Sequence, residues 1–491
     1  MIHAKQSHDC DVLIVGAGPA GAVAANYIAQ AGYRVWLVDK DHFPRDKVCG
    51  DFIGPVGLLE LIRLGVTDEA LYQQSNKIDY ASAFLNAQEL VSAPIPPISG
   101  LPPFGCVIPR MQLDESLVNA SRNAGSKLLQ GYRIKALRYE NESVVVTFEC
   151  KKNTSSIRTR LLIGSDGSNS VIAKALRGYA PPDRDRIVAV RAYYDNVSGP
   201  NNRCDLYFSA DSFPGYCWLF PTGESTANVG VGVASNTIPA GKRALRSLLQ
   251  KLVDEDAALS QRLRGAHIAG KVAGWPLTTY DHRLPIVWDR VMLAGDAAGL
   301  INPLNGEGIQ YALLSGRWAA YYAIQGLYHD DLSAQYLSSY AQTIEQELRY
   351  DMAISNMIVQ LIRNRHLTPI WLHALQIIGK AAREQPGYAA VAGGVLAGLI
   401  PANNLLGYQI ISGTIKQAAL SLGGNALYRS INDPAGSVHF GVMAGAKMLV
   451  DSLRDPVQTA KWGVGVTANA AELAKQVYQD ISSRLIPGGR S

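Results

Sequence analysis

The chain has 491 residues, 47% of them apolar and 18% charged, with a formal net charge of +5 at pH 7. That length allows two or three domains around a large core, and the positive charge is spread without long Lys/Arg runs, which excludes a nucleic-acid-binding stripe. The six cysteines, Cys10, Cys49, Cys106, Cys150, Cys204 and Cys217, include no Cys-x-x-Cys pair, which excludes a structural zinc centre and a disulfide framework and fits a reducing, cytoplasmic setting.

The first apolar run, Val12 to Val15, is too short for a signal-peptide core and reads as a buried strand. Gly16-Ala17-Gly18-Pro19-Ala20-Gly21 follows it, then an alanine-rich helix from Ala20 to Ala31 closed by Gly32, then a second strand, Val35 to Val38. A Gly-x-Gly-x-x-Gly string alone is weak, but between a strand and a helix it has its required context. Gly16 permits the tight turn, Gly18 lets a pyrophosphate approach the helix N-terminus, and Gly21 lets the helix pack on the strand. Asp39 ends the second strand, where a carboxylate accepts hydrogen bonds from both ribose hydroxyls and repels a 2′-phosphate. FAD or NAD therefore fits better than NADP.

A helix is predicted over residues 114–125, and strands near Lys135–Glu140, Ser143–Phe148 and Leu161–Gly164. Gly164-Ser165-Asp166-Gly167 then leads into a short helix, Val171 to Leu176. From Ile187 to Val233 the chain reads as a second, mainly antiparallel sheet. Val291 to Ala294 returns to the first domain as a buried strand and runs into Gly295-Asp296-Ala297-Ala298-Gly299 and Asn302-Pro303-Leu304-Asn305-Gly306-Glu307-Gly308. Asp296 is placed to accept a ribityl hydroxyl. The loop through Gly306 and Gly308 is placed to aim backbone N–H groups at the flavin edge that becomes negative on reduction. Helices are predicted from Gly306 to about Gly326, from Leu332 to about Arg365, and from about Val466 to Leu485. The uncharged stretch from Gln385 to Ile415 is interrupted by Pro386, Pro401, Asn403, Asn404 and glycines, and is not read as a membrane span.

These three motifs together resemble the flavoprotein hydroxylase (p-hydroxybenzoate hydroxylase-like) superfamily, and within it the chain is most similar to the geranylgeranyl reductase family. Lys47-Val48-Cys49-Gly50-Asp51 resembles that family's Cys-Gly loop, Tyr216-Cys217-Trp218-Leu219-Phe220-Pro221 its Tyr-x-Trp-x-Phe-Pro pattern, and Asn302 to Gly308 its Asn-Pro-x-x-Gly-Glu-Gly loop. The resemblance covers about residues 10–400. It implies an α/β fold: a discontinuous Rossmann-like FAD-binding domain (residues 1–80, 104–180 and 285–330), an antiparallel-sheet substrate domain (81–103 and 181–284) and a helical C-terminal region (331–491). It also implies that Gly16, Gly18, Gly21, Asp39, Arg110, Asp166, Asp296, Gly306 and Gly308 hold FAD, with Arg110 matching a family arginine that contacts it.

In an extended strand Tyr216, Trp218 and Phe220 share one face. They are either ordinary core or the wall of a hydrophobic substrate pocket, the reading the resemblance favours. Cys49 is either a buried filler or a thiol that lines the pocket or relays a proton, and Asp51 is a candidate acid. No second glycine fingerprint supplies a nicotinamide domain, so electrons are expected to come transiently from NAD(P)H or from a separate flavin reductase. The resulting expectation is an FAD-dependent reductase of C=C bonds in an apolar, isoprenoid-like substrate. A monooxygenase hydroxylating or epoxidising an apolar or aromatic molecule is the alternative, because one fold hosts both; a non-redox cyclase or binding module is a third class. The Trp-x-Trp-x-Ile-Pro string of flavin halogenases is absent, Tyr216 and Phe220 departing from it. The C-terminal helix sets Ala470, Leu473, Val477 and Ile481 on one side. It is expected to pack internally, with at most weak peripheral membrane contact, since its polar face carries both Glu472 and Lys475.

Overall fold

The structure, a computed structural model, describes residues 8–140, 142–151, 153–180, 186–237, 242–400, 404–405, 413–414, 416 and 456–485. Its first sheet is parallel at the centre, in the order Val287–Trp288, Val291–Leu293, Asn153–Gly164, Cys10–Val15, Val35–Asp39 and Lys127–Gln130. Register places Val12 beside both Val35 and Leu161, and Ile163 beside Met292. Val12, Leu13, Ile14, Leu161, Leu162 and Ile163 have no exposed surface, as expected for strands covered on both faces. The covering helices are Pro19–Gln30, Arg110–Asn123 and Ile309–Tyr328, the first packing on the other two. Glycine makes that packing close: a Cβ on Gly316 would lie 2.4 Å from the Ala20 carbonyl oxygen.

Strand Asn153–Gly164 is longer than the expected Leu161–Gly164. Its first half, Asn-Thr-Ser-Ser-Ile-Arg-Thr-Arg, is polar and pairs antiparallel with Ser143–Cys150, while its apolar end pairs parallel with Cys10–Val15. The polar half carries no period-two apolar signal, because Ile157 is the lone large apolar side chain it buries. The helix expected at 114–125 starts earlier, at Arg110, with Pro109 as its N-cap.

The second sheet runs His267–Thr278, Arg186–Asp195, Thr226–Ala234, Tyr216–Pro221, Arg203–Phe208, Tyr80–Leu85 and Gln88–Pro94. All its pairings are antiparallel except Arg203–Phe208 with Tyr80–Leu85. Alternation sorts its side chains into two cores. Cys217, Leu219, Val229 and Val231 meet Leu245 and Leu249 of helix Lys242–Glu255. Trp218 and Phe220 face the other way, toward helices Thr368–Glu384 and Pro386–Leu396. A three-stranded sheet of Phe52–Ile53, Gly105–Val107 and Asn76–Ile78 lies in the connection between the two large sheets.

Among the described residues no helix is long and apolar enough to cross a membrane. The uncharged stretch contributes the 11-residue helix Pro386–Leu396, and most of its remainder lies outside the described residues. The C-terminal helix spans Pro456–Leu485 and so starts ahead of the expected Val466, with proline in its first turn. It packs on helix Ala334–Ile362. Arg349 Nε donates to Glu472 at 2.7 Å, Trp462 Nε1 donates to the Gln360 carbonyl at 2.8 Å, and Leu473 joins Ile354, Val395 and Ile400. The side chains of Val477 and Ile481 lie outside the described residues. Deleting residues 457–491 is therefore expected to lower the unfolding midpoint by several degrees, while co-sedimentation with liposomes stays unchanged. Retained stability with vesicle binding abolished would reverse that assignment.

Candidate active site

One cavity of about 1650 Å³, its open mouth included, lies between the two sheets. The glycine turn, the Lys47–Phe52 loop, the aromatic strand and the Asp296–Ile309 segment all reach it, although they are far apart in sequence.

The three fingerprint glycines divide by role. A Cβ on Gly16 would sit 2.1 Å from the Ser165 carbonyl oxygen, and one on Gly21 1.9 Å from the Gly16 carbonyl oxygen. These two allow the turn, the helix and the Gly164-Ser165 segment to close on one another, and Ser165 Oγ ties the contact by donating to the Gly16 carbonyl at 2.7 Å. Gly18 instead lines the cavity, and the first atoms a Cβ there would meet are Arg45 Nη2 at 3.8 Å and Arg110 Nη2 at 4.0 Å. An open glycine flanked by two guanidiniums, at the N-cap of helix Pro19–Gln30, suits a pyrophosphate in charge and in space. Both arginines are held by the buried Asp114: Arg110 donates to its two oxygens at 2.7 Å each, and Arg45 Nη1 lies 2.9 Å away. Arg45 falls outside every motif. Its one sequence signal is its place in the loop after the second strand.

Asp39 accepts the Ala17 N–H at 2.7 Å and the Asp41 N–H at 2.9 Å, so its carboxylate holds the glycine turn at the strand end where a ribose is expected. The Asp166 carboxylate accepts Ser170 Oγ at 2.5 Å and the Val171 N–H at 2.7 Å at the start of helix Val171–Arg177, beside the cavity wall. Its neighbours Ser165 and Gly167 line that wall. An acid five residues before a helix start is drawn to the orphan N–H groups there.

Asp296 does line the cavity. Its Oδ2 accepts Lys47 Nζ and Ser168 Oγ, each at 3.1 Å, and its Oδ1 turns toward Gly308. Burial alone would raise this carboxyl, but the charge and hydrogen bond of Lys47, with Arg110 and Ser168, hold it below its usual range. It is thus a fixed carboxylate beside the Gly306–Gly308 loop, ready for a hydroxyl. Gly306, at φ 71°, opens that loop, and helix Ile309–Tyr328 begins directly after Gly308. The residues present therefore fit a flavin dinucleotide: a cationic open glycine at one end, a carboxylate and a helix N-terminus at the other.

On the opposite wall stand Tyr216, Trp218 and Phe220, their rings in sequence with centroids 6.4 and 6.2 Å apart. They are core and pocket wall at once: Trp218 and Phe220 belong to the buried cluster and all three line the cavity. Gly230 leaves room for the indole, since a Cβ there would lie 2.3 Å from the Trp218 ring. Helix Ala334–Ile362 closes one side with Val359 and Ile362, while Met352 and Ile354 pack in the cores.

The Cys49-Gly50-Asp51 loop rests on this aromatic wall; a Cβ on Gly50 would come within 3.0 Å of the Phe220 ring. Burial pushes the Cys49 thiol up, against the charge of Arg110, so it stays protonated at neutral pH. Asp51 is fully buried and sits at φ 64°, a left-handed conformation uncommon outside glycine. Its Oδ2 accepts the Tyr193 hydroxyl at 2.6 Å and Asn228 Nδ2 at 2.7 Å, and its Oδ1 accepts the Arg110 N–H at 3.3 Å. Burial raises Asp51 to about 6, against those donors and the nearby charges of Arg191 and Arg110. Asn228 also donates to the Cys49 carbonyl at 2.7 Å and accepts Trp218 Nε1 at 3.0 Å. This one amide joins the aromatic wall to the acid. A polar residue inside the otherwise apolar strand Thr226–Ala234 is the signal that could have found it, because a buried amide requires partners.

Among the described residues no group of three or more His, Cys, Asp or Glu is placed to hold a metal ion. The FAD binding domain family matches residues 9–315. Menaquinone reductase of Mycobacterium tuberculosis is 32% identical over 325 residues, covering 63% of this chain and 75% of that protein. Digeranylgeranylglycerophospholipid reductase 2 of Methanopyrus kandleri is 31% identical over 342 residues, covering 69% of this chain and 82% of that protein. A solved geranylgeranyl bacteriochlorophyll reductase-like protein of Thermoplasma acidophilum superimposes with a TM-score of 0.63 at 20% identity, over 84% of this chain and 96% of that one, a likeness of fold.

Proposed function

The chain belongs to the geranylgeranyl reductase family of FAD-binding oxidoreductases, and from that premise we propose that it reduces C=C bonds of a hydrophobic, isoprenoid-like substrate. The observation that carries this reading is the cavity itself. An aromatic and aliphatic wall faces the dinucleotide-binding wall, and a buried acid near its neutral point stands at their junction. Menaquinone reductase and digeranylgeranylglycerophospholipid reductase, the relatives, carry names that fit the same chemistry. In this reading residues 1–80, 104–180 and 285–330 form the FAD-binding domain, and the second sheet supplies the substrate wall.

Reduced FAD supplies the hydride; the protein's own residues do the rest. Tyr216, Trp218 and Phe220, with Ile362 and Val359 opposite, hold the chain of the substrate and exclude water. Asp51 gives the proton to the carbon that does not receive the hydride. The donors Tyr193 and Asn228 then stabilise the carboxylate that is left, which burial alone would disfavour. The Cys49 thiol, neutral and on the wall, packs against the reacting segment. NAD(P)H, or a separate electron donor, restores the reduced flavin between turnovers.

The test is an anaerobic one. Holoprotein is reduced, mixed with geranylgeraniol without oxygen, and the product is weighed by mass spectrometry. Gain of one hydrogen molecule per double bond supports the reductase reading; turnover that requires oxygen and adds oxygen overturns it. Trp218→Ala is expected to lower kcat/KM on the order of a hundredfold, the size of a lost aromatic contact to the substrate of about 3 kcal/mol, with FAD content unchanged. Parallel loss of flavin would make the aromatic strand core alone.

A further inference from the structure

Lys47 lines the cavity, and its side chain is 25% exposed. The loop that carries it is tied down from three elements. Arg45 pairs with Asp114 of helix Arg110–Asn123. Arg191, on strand Arg186–Asp195, pairs with Asp46 and donates to the Lys47 carbonyl at 3.4 Å. Asn228, on strand Thr226–Ala234, donates to the Cys49 carbonyl at 2.7 Å. From this fixed backbone the ammonium reaches Asp296 Oδ2 at 3.1 Å. An ammonium has three N–H groups. Among the described residues Asp296 is its one acceptor, which leaves two for a ligand.

The charges at this end of the cavity do not cancel. The Asp296 carboxylate is met by Lys47 and by the Ser168 hydroxyl at 3.1 Å. Helix Ile309–Tyr328 also begins there, just past Gly308, and its N-terminus carries about half a positive charge. Glu307, the other acid of the loop, has both carboxyl oxygens buried, with no hydrogen-bond partner among the described residues. Such a site does not sustain a carboxylate, and burial with the charge of Asp351 raises Glu307 well above its usual range. Asp51, the third acid on the wall, has its own cations in Arg191 and Arg110. One ammonium and a helix N-terminus thus stand against one carboxylate, and the edge they form is net positive.

We propose that Lys47 makes this site bind reduced FAD more tightly than oxidised FAD, by offsetting the negative charge that reduction places on the flavin edge. A cation held on a clamped loop needs no rearrangement when that charge appears. By linkage, tighter binding of the reduced form raises the midpoint potential of the bound flavin. Asp296 fixes the ammonium and opposes it in sign, so removing one charge or the other moves the potential in opposite directions. The inference concerns the cofactor and holds whichever substrate the cavity takes.

The experiment measures the two-electron midpoint potential of the bound flavin by anaerobic reduction against a reference dye. Lys47→Met keeps the reach of the side chain and removes its charge. It is expected to lower the potential by about 30 mV or more, a tenfold loss of preference for the reduced form. Lys47→Arg, which keeps the charge, is expected to stay close to the wild type. Asp296→Asn removes the opposing charge and is expected to raise the potential. Where a variant purifies without flavin, oxidised and reduced FAD are titrated separately into the apoprotein, and the ratio of the two dissociation constants gives the same quantity. An unchanged potential or ratio in Lys47→Met overturns the proposal. So does a shift of the same sign in Lys47→Met and Asp296→Asn, which reports a disturbed loop and not a charge. Wild-type protein that binds FAD in neither state would remove the cofactor site itself, and the proposal with it.

Discussion

Gly18→Val is expected to give folded protein that purifies without FAD. The prediction depends on the different surroundings of the three fingerprint glycines. Gly18 has an ordinary φ of −71°, and a Cβ there meets nothing nearer than 3.8 Å, the nearest atoms being the ends of two arginine side chains, so a side chain there meets no backbone atom at its Cβ. It fills the space between the helix N-terminus and the guanidiniums of Arg45 and Arg110, which is the space assigned to the pyrophosphate. Loss of that approach is expected to weaken FAD binding at least a hundredfold, or about 3 kcal/mol. Absorbance of the purified protein and flavin titration measure it, and circular dichroism confirms the fold. Gly16→Ala is the contrast: with φ 104° and a carbonyl oxygen at 2.1 Å, it is expected to destabilise the fold itself. Full yellow FAD content in Gly18→Val would remove the glycine turn from the cofactor site.

Asp51→Asn is expected to lower kcat by about a hundred- to ten-thousandfold, the range for loss of a positioned general acid, with FAD bound as before. Asparagine fits the backbone, since it tolerates the left-handed conformation Asp51 adopts. The pH dependence has a definite sign. An acid must be protonated to donate, so with Asp51 raised by burial to about 6, turnover falls as pH rises through about 6. That limb is expected to vanish in Asp51→Asn. Stability moves the same way with pH. The folded value lies above the unfolded one of about 4, so this group's contribution is fully present below about 4 and is lost as pH rises through about 6. At pH 8 the wild type holds a buried carboxylate that the amide removes, so the unfolding midpoint of Asp51→Asn is expected to equal or exceed that of the wild type. A variant that loses turnover and stability together would make Asp51 structural.

Much of the fold was legible because local chemistry and tertiary structure agree. Val12 to Val15, the glycine turn and Val35 to Val38 carry period, turn and capping signals for one unit, and the structure builds that unit. The second sheet was legible from alternation, and Tyr216, Trp218 and Phe220 share the face that alternation gave them. Where signals were weak, so was the reading. The polar residues Asn153 to Arg160 form a strand only because Ser143–Cys150 pairs with them. Asp166, expected at the cofactor by motif, also holds the nearest helix terminus, a use that the motif does not record. Arg45, Lys47, Tyr193 and Asn228 were invisible as a group, for they reach the cavity or its acid from one loop and two separate strands, and no spacing along the chain records their meeting.

The central strands of the first sheet come from three distant stretches, with Asn153–Gly164 held between Cys10–Val15 and Val291–Leu293. On the ribosome this order matters. Once Asn153–Gly164 has emerged, its Leu161-Leu162-Ile163 end can join Cys10–Val15, but its other edge stays unpaired until Val291–Leu293 is made. At ordinary synthesis rates that interval is on the order of ten seconds. Throughout it the nascent chain presents an open apolar strand edge, the kind that seeds association between chains. Five of the second sheet's seven strands, from Arg186–Asp195 to His267–Thr278, are synthesised within the same interval. Misfolding of this protein should therefore begin as intermolecular pairing at Leu161-Leu162-Ile163 during translation, and a chaperone acting before Val291 emerges should suppress it more than one added after chain release.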